Sequence, residues 1–590
     1  MSIHFPTLTA ARATAIIADR PAVAAEETAM SHTSMHARLR QTLQRAMTAD
    51  RLARRTGVPA DEWLAHGRSR RELLALMASA GALPWAACGA AASNAPAGPA
   101  QADATLAGDG GQSVDAKPIG DAAATQPGTV AIIGAGLAGL HCAVRLWRDY
   151  GIASTIYDGQ KRAGGRCWTD RDTFKALDAM HCELGGELID SNHKTMLALC
   201  KEFGLELLDY AKDDPDLETE LLVVQGKIWT EKELLAAWQP LSSAIGAAQK
   251  RLPGGQMPTH DNPQGAQDVD KQSLAAWLDA QKVTGALRTL IDQTFIAEFG
   301  LDLDQQSALN LLDMVAPASD EIRLLGDSDE RWHLKAGNDA LVAKLVEALP
   351  VGALQLDHTL QKAAKGSDGR TNLTFAAPGG TVEVKADRAV FALPFSALRK
   401  VDATGLALPA LKANSIAELS YGTNSKLMVG FKSRVWRKAD SNGTIVTDLG
   451  FGLCWETSRL QSTTDLGILT HYPGGKKGVD HGLGTAANQR DAFLNQLDAI
   501  LSGAKKAATA DAVRQHWPSV PWIEGSYCCY KPGQFTTIRG AEAAAVGNVH
   551  FCGEHTDLVM QGYLEGAVAS GARVAGEIAT AWKSPKKSGV

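Results

Sequence analysis

The sequence has no C-x-x-C pair, no basic stripe with interleaved aromatics and no apolar run long enough for a membrane helix. Each shortage removes a class of function. Its nine cysteines are scattered, with only Cys528 and Cys529 adjacent, so no zinc site of the usual spacing is readable and no metal ligand is assigned. A formal net charge of -6 has the wrong sign for a nucleic-acid binder or a partner of anionic membranes. A bilayer-spanning helix needs about 20 apolar residues, so no stable membrane insertion is expected.

What remains is the composition of a soluble globular protein, 45% hydrophobic and 21% charged. At roughly 150 residues per domain, 590 residues allow about three to four units, enough for a large buried core. The 57 glycines imply many tight turns and close backbone approaches.

The N-terminal region reads as an address. Arg70 and Arg71, after Ser69 and before Leu73 and Leu74, open a basic, then apolar, then small-residue order that ends near Ala90, Ala91 and Ala92. Residues 67–92 resemble a twin-arginine signal peptide. Cys88 is a poor lipidation site, with Trp85 three residues before it. Residues 1–66 read as a disordered extension, with Met30, Met35 or Met47 as alternative starts. Residues 93–125, rich in Ala, Gly, Asp and Pro, read as a disordered linker.

The first ordered element is the apolar run Val130, Ala131, Ile132, Ile133, a buried-strand pattern. It runs into Gly134-Ala135-Gly136-Leu137-Ala138-Gly139 and then a helical pattern through Leu140, Val144 and Trp147. G-x-G-x-x-G between a strand and a helix is a dinucleotide site. Gly134 allows the turn, Gly136 lets the backbone approach a pyrophosphate, and Gly139 lets helix pack on strand. The helix start offers N–H groups and partial positive charge to that pyrophosphate. A second strand, Ser154 to Tyr157, ends at Asp158, whose carboxylate can accept ribose hydroxyls. A second glycine-rich turn follows, Arg162-Ala163-Gly164-Gly165-Arg166.

Near the other end, Val549-His550-Phe551 leads into Gly553-Glu554, and Gly562-Tyr563-Leu564-Glu565-Gly566 opens a helix. The two ends together resemble the flavin monoamine oxidase family over roughly residues 126 to 582. Middle segments agree: residues 183–187, 331–339 and 386–394 are similar to the family's loop over the flavin, its return to the FAD domain and its crossing strand.

The resemblance implies an α/β fold, with a Rossmann-type FAD domain (126–191, 331–398, 520–582) interleaved with a sheet-plus-helices substrate domain (192–330, 399–519) and a tail at 583–590. It implies FAD held by Gly134, Gly136, Gly139, Asp158, Gly165, Arg166, Gly186, Glu187, Leu360, Glu554 and Leu564. Tyr527 and Tyr563 match the family's aromatic cage, Trp522 an aromatic ring beside the flavin, and Lys426 a lysine that holds a water near the reacting nitrogen. Ser526 stands where some members bond the flavin through cysteine, so noncovalent FAD is expected, with Cys528 nearby. The implied reaction is oxidative deamination of a primary or secondary amine. It gives an imine and then an aldehyde, with O2 reduced to hydrogen peroxide unless a quinone or cytochrome takes the electrons.

Related L-amino acid oxidases clamp the carboxylate with an arginine after the Gly-Gly loop. Here the stretch is Gly186-Glu187-Leu188-Ile189-Asp190, so an amine is preferred, with a diamine or polyamine in view, although Arg459 or Arg323 could enter from elsewhere. The alternatives are an L-amino acid oxidase, a desaturase of the same superfamily, or a non-enzymatic flavin-binding protein. The signal implies the twin-arginine export machinery as partner and a periplasmic location, or a cytoplasmic one if the signal is unused. The sequence leaves the oligomeric state open, a homodimer included. Residues 254–270 are polar and read as a surface loop, and Leu274, Trp277 and Leu278 as the apolar face of a helix.

Overall fold

The computed structural model describes residues 128–585 and Lys587. The extension, the Arg70-Arg71 segment and the linker lie outside the described residues. Two sheets organise the chain. The first is five-stranded and parallel, in the order Val549–Phe551, Arg388–Phe391, Val130–Ile133, Thr155–Tyr157, Leu354–Gln355. Val130–Ile133 is buried at every position, as expected for a strand covered on both faces. The helices Leu137–Tyr150 and Leu564–Ala581 share one core with Val130, Ile132 and Val390. On the opposite side, Ala131, Ile133 and Phe391 pack with Leu360, Leu373 and Phe375 of an antiparallel sheet. That sheet is Thr359–Lys365, Thr371–Ala377, Gly380–Ala386. This is the Rossmann arrangement, built from early, middle and late parts of the chain.

The second sheet has seven strands, in the order Ala508–His516, Ser425–Phe431, Gly467–His471, Leu453–Glu456, Ile445–Thr447, Leu221–Val224, Lys227–Trp229. All its pairings are antiparallel except Ile445–Thr447 with Leu221–Val224. Strand periodicity decides what Ser425–Phe431, the second strand of this sheet, presents. Leu427, Val429 and Phe431 pack under the helix Ala486–Ile500, through Phe493, Leu494 and Leu497. Met428, on the opposite side, packs against Phe174, Leu177 and Leu184. Lys426 shares that side, facing the loop at residues 183–187. The helices Glu231–Gln249, Leu274–Ala280, Gly285–Phe299 and Ala308–Met314 form an apolar body beside this sheet.

The fold is therefore α/β, a Rossmann-type domain interleaved with a sheet-plus-helices domain. Leu274, Trp277 and Leu278 are the buried face of a helix, as their spacing predicts. The polar stretch 254–270 departs from a plain loop at its end, where Gln267–Asp270 is helical. Asp270 is buried there and accepts from the Ser307 and Thr536 side chains, so its polarity is internally satisfied. The eight described cysteines are buried free thiols. Among the described residues no helix is long and apolar enough to cross a membrane.

Two glycines separate packing from propensity. A Cβ on Gly571 would lie 2.3 Å from the Ala138 carbonyl oxygen, so the helices Leu137–Tyr150 and Leu564–Ala581 touch through bare backbone. Gly571→Ala is expected to cost about 1–3 kcal/mol by overpacking. A Cβ on Gly246, inside the helix Glu231–Gln249, meets nothing closer than 3.7 Å. Gly246→Ala should stabilise by about 0.5–1 kcal/mol. Thermal melts of the two variants should move in opposite directions.

Candidate active site

A cavity of about 390 Å³ is lined from both sheets. At one end it is a nucleotide cradle. Gly134 turns the chain at φ 112°, with its N–H bonded to Tyr157 O at 2.8 Å. Gly136 caps the helix Leu137–Tyr150, and a Cβ there would meet no atom within 4 Å, so this backbone faces open space. The unpaired N–H groups of that helix start are available to an anion. Gly139 does not line the cavity; a Cβ on it would fall 2.0 Å from Gly134 O, so its part is close packing. Gly164 N bonds Ala135 O at 2.8 Å, bringing Gly165 alongside Gly136. Asp158 accepts from Ala135 N at 2.7 Å and Gln160 N at 2.8 Å. Burial raises its carboxyl pKa, and those two N–H donors oppose the rise. Leu360, on the sheet behind, lines the same end.

Arg166 and Glu554 close the floor of the cradle. Arg166 Nη1 donates to Ser526 O at 2.6 Å and to Glu554 Oε1 at 2.9 Å. The second Glu554 oxygen accepts from Cys528 Sγ at 3.1 Å and Gly562 N at 3.0 Å. Glu554 thus spends its carboxylate on protein donors and positions Arg166 and the turn before Leu564. Burial and the adjacent Glu554 keep the Cys528 thiol well above its ordinary pKa, hence protonated. Ser526 Oγ donates to Asn424 Oδ1 at 2.6 Å.

At the other end stands Lys426, 3% exposed. Its Nζ donates to Glu187 Oε2 at 2.6 Å, Gly185 O at 2.9 Å and Glu183 O at 3.1 Å. The other Glu187 oxygen accepts from Trp455 Nε1 at 3.0 Å and from the Thr457 hydroxyl. Burial alone would raise the Glu187 carboxyl, but Lys426 overrides it and the pKa is lowered. The lysine is neither free nor snorkelled to the surface. Its Nζ lies 5.5 Å from the Trp455 ring centroid and 5.8 Å from that of Tyr472.

Tyr527 and Tyr563 both line this end. Tyr527 donates to Ala297 O and sits 3.0 Å, hydroxyl to hydroxyl, from Tyr472. Tyr563 bonds Glu298 Oε1 at 2.5 Å. Burial raises both phenol pKa values, so both rings stay neutral.

Acidic groups dominate the remaining wall. Glu220, Glu298 and Glu330 line the cavity. Enclosure by protein raises Glu220 and Glu298 to about 7. It raises Glu330 to about 8, with Asp190 and Glu298 adding to the rise. Glu220 and Glu330 line the cavity yet remain exposed, whereas Glu298 is half-buried, so confinement weighs most on Glu298. Asp190, behind the wall, accepts from Glu330 N and Ser328 Oγ. Arg459 is committed to Asp213 and Tyr210 O, and Arg323 to Glu321; neither lines the cavity.

The flavin containing amine oxidoreductase model matches residues 137–579. The chain belongs to that family. Relatives include YobN of Bacillus subtilis, provisionally named an L-amino-acid oxidase, 26% identical over 78% of this chain and 96% of its own. Mouse amine oxidase [flavin-containing] B is 24% identical over 76% of this chain and 85% of its own. Among solved structures, wild-type putrescine oxidase bound to putrescine superposes with a TM-score of 0.63 at 21% identity, over 77% of this chain and 99% of that chain. The family carries the flavin, and the solved structure carries the fold. The cradle fits such a cofactor on its own terms, because Gly136 opens onto empty space at a helix N-terminus and Asp158 stands at the adjoining strand end.

Trp522 and Glu187 both line the cavity, and each is engaged there by protein neighbours. Trp522 packs its indole on Gly159, beside Asp158, where a Cβ would come within 3.3 Å of it. The tryptophan near the lysine is Trp517, which donates to Leu184 O at 2.8 Å and whose ring edge lies 3.1 Å from a Cβ on Gly185. The Glu187 carboxylate is turned to Lys426, Trp455 and Thr457 and is unavailable as a cofactor ligand. Tyr472, Trp455, Glu220, Glu298 and Glu330 were not singled out by sequence. Trp455 comes from a strand near Lys426 in the sheet and Tyr472 from the residue just after another, a proximity visible only once the strand order is known.

The lysine pair gives a direct prediction. Lys426→Met leaves Glu187 buried without its counter-ion, which should cost about 3–5 kcal/mol. Lys426→Met with Glu187→Gln should recover most of that loss. Denaturant unfolding of the flavin-loaded proteins measures both, and equal losses would contradict the pairing.

Proposed function

We propose that the chain oxidises a small primary or secondary amine to an imine, which water hydrolyses to an aldehyde and ammonia or a smaller amine, with preference for an amine carrying a second cationic group. Bound noncovalently, FAD supplies the two-electron acceptor for the substrate α-carbon and is reoxidised by O2, giving hydrogen peroxide. The chain supplies binding and electrostatics. Gly136, Gly165 and Asp158 would hold the dinucleotide, with Leu360 against its far end and Arg166 beneath it. Gly186, packed on Leu564, would bring the loop and the last helix start together at the flavin. Ser526 cannot form a thioether and the Cys528 thiol is hydrogen-bonded to Glu554, which supports a noncovalent cofactor. Tyr527 and Tyr563 offer neutral aromatic surface that orients an amine and favours its uncharged form. Lys426 spends its three N–H donors on Glu187, Gly185 O and Glu183 O, so its part is to hold the loop at residues 183–187 in place rather than to bind a water.

One observation carries the substrate preference. The amine end is lined by Glu220, Glu298 and Glu330, its lysine is neutralised by Glu187, and among the described residues no arginine stands there. A substrate carboxylate would meet repulsion, whereas a distal ammonium would meet carboxylates.

Peroxide-coupled rates with butane-1,4-diamine, butylamine and L-amino acids test this. Carboxyls with raised pKa values are neutral below them and ionised above. The preference for diamine over butylamine should therefore grow as pH rises through about 7 to about 8. Glu298→Gln or Glu330→Gln should cut that preference about tenfold or more, the scale of a charge-assisted hydrogen bond. Faster turnover of L-amino acids than of either amine would overturn the reading.

A further inference from the structure

We propose that His181, Glu183 and His333 form a binding site for one divalent transition-metal ion of the zinc type, behind the loop that anchors Lys426. None of the three lines the cavity, so the site is separate from the amine chemistry. Each residue offers a ligand atom, and these atoms lie within 4.8 Å of one another.

The backbone explains the convergence. His181 and Glu183 flank Cys182 in extended chain, so alternation turns both to one side. Cys182 turns to the other, into the apolar cluster of Phe174, Met180 and Met428. His333 arrives from the middle of Trp332–Leu334, some distance along the sequence. Its Nε2 is 3.1 Å from Glu183 Oε1. Zinc with N and O ligands at about 2.0–2.1 Å in a tetrahedron sets neighbouring ligand atoms about 3.4 Å apart. One edge is therefore already near metal spacing, and the His181 ring completes the set by turning about its side-chain bonds.

Charge and hydrogen bonding both leave room for a cation. Glu183 is 0% exposed, and among the described residues its ion-pair partner is His333 rather than a lysine or arginine. A buried carboxylate calls for a cation. His181 Nε2, His333 Nδ1 and the Tyr210 hydroxyl are buried with no hydrogen-bond partner. The Tyr210 ring centroid is 6.3 Å from that of His333. Three orphaned polar atoms in one buried spot are unusual in a native fold. A metal on the Glu183–His333 Nε2 edge would take the orphaned His181 Nε2 lone pair, with a water or the Tyr210 hydroxyl at its open position; His333 Nδ1, on the far side of its ring, would carry the proton. The carboxylate is already oriented from outside, as metal-ligating carboxylates are. Thr169 Oγ1 donates to both its oxygens, at 3.1 and 2.9 Å, and Asn338 N to Oε1 at 2.9 Å. Two imidazoles with one carboxylate suit zinc, whereas magnesium and calcium prefer all-oxygen sets. Because Glu183 O accepts from Lys426 Nζ, the ion would stiffen the segment that holds the lysine.

The test uses the flavin-loaded enzyme. After chelator treatment and desalting, zinc chloride is titrated calorimetrically, with magnesium chloride as the comparison. Zinc should bind at about one equivalent per chain and magnesium should not. X-ray absorption at the zinc edge of the loaded wild type should show two imidazole ligands. His181→Ala and His333→Ala should lower bound zinc to below about a tenth of an equivalent while the flavin content reports folding. Absence of zinc binding by the wild type, a ligand set without two imidazoles, or unchanged zinc in folded variants would overturn the site. If the variants do not fold, the wild-type titration and absorption spectrum decide alone.

Discussion

The buried pair of Lys426 and Glu187 fixes the geometry on which the site depends. Lys426 belongs to the second strand of the seven-stranded sheet, and Glu187 to the loop that leaves the parallel sheet's domain. Two ions taken out of water are costly unless geometry and further hydrogen bonds compensate. Here Gly185 O, Glu183 O, Trp455 and Thr457 supply those bonds. The pair therefore holds the loop, the lysine and the Trp455–Tyr472 wall in one arrangement. It also cancels the two charges nearest each other, leaving the electrostatics of the amine end to Glu220, Glu298 and Glu330.

The two ends of the cavity differ in how they are built. The cradle is made of backbone: helix starts, glycines and one strand-end carboxylate, all within short stretches of chain. The amine end is made of side chains carried in from separate strands, helices and loops spread along the chain. Tyr527 and Tyr472 meet through their hydroxyls, and Tyr563 meets Glu298. This division is consistent with a family whose members share a cofactor and vary in substrate.

The same division governs how much the sequence disclosed. Gly134, Gly136, Asp158, Gly165 and Leu564 were legible because their spacing along the chain is itself the geometry. Lys426 was legible as a costly lysine in an apolar strand, but its partner was not, since Glu187 lies on another element. Trp522, read as an aromatic ring beside the flavin, lines the cavity together with Trp517, and the stretch between them turns back on itself. Trp517–Ser519 is a 3-10 turn, and Trp522 has a left-handed φ of 66°. Two tryptophans in one short segment thus point to opposite ends of the cavity. Glu298, Glu330 and the His181–Glu183–His333 group were invisible for a plainer reason: the atoms that meet are far apart in sequence, and no spacing rule reaches them.

The account rests on the amine end accepting cations and repelling carboxylates. Anaerobic mixing of the flavin-loaded enzyme with butane-1,4-diamine, butylamine or an L-amino acid, followed by loss of flavin absorbance, tests this without dependence on the final electron acceptor. Fastest bleaching by the diamine, with butylamine slower and amino acids slowest, is the predicted result. Bleaching by L-amino acids alone would contradict the account.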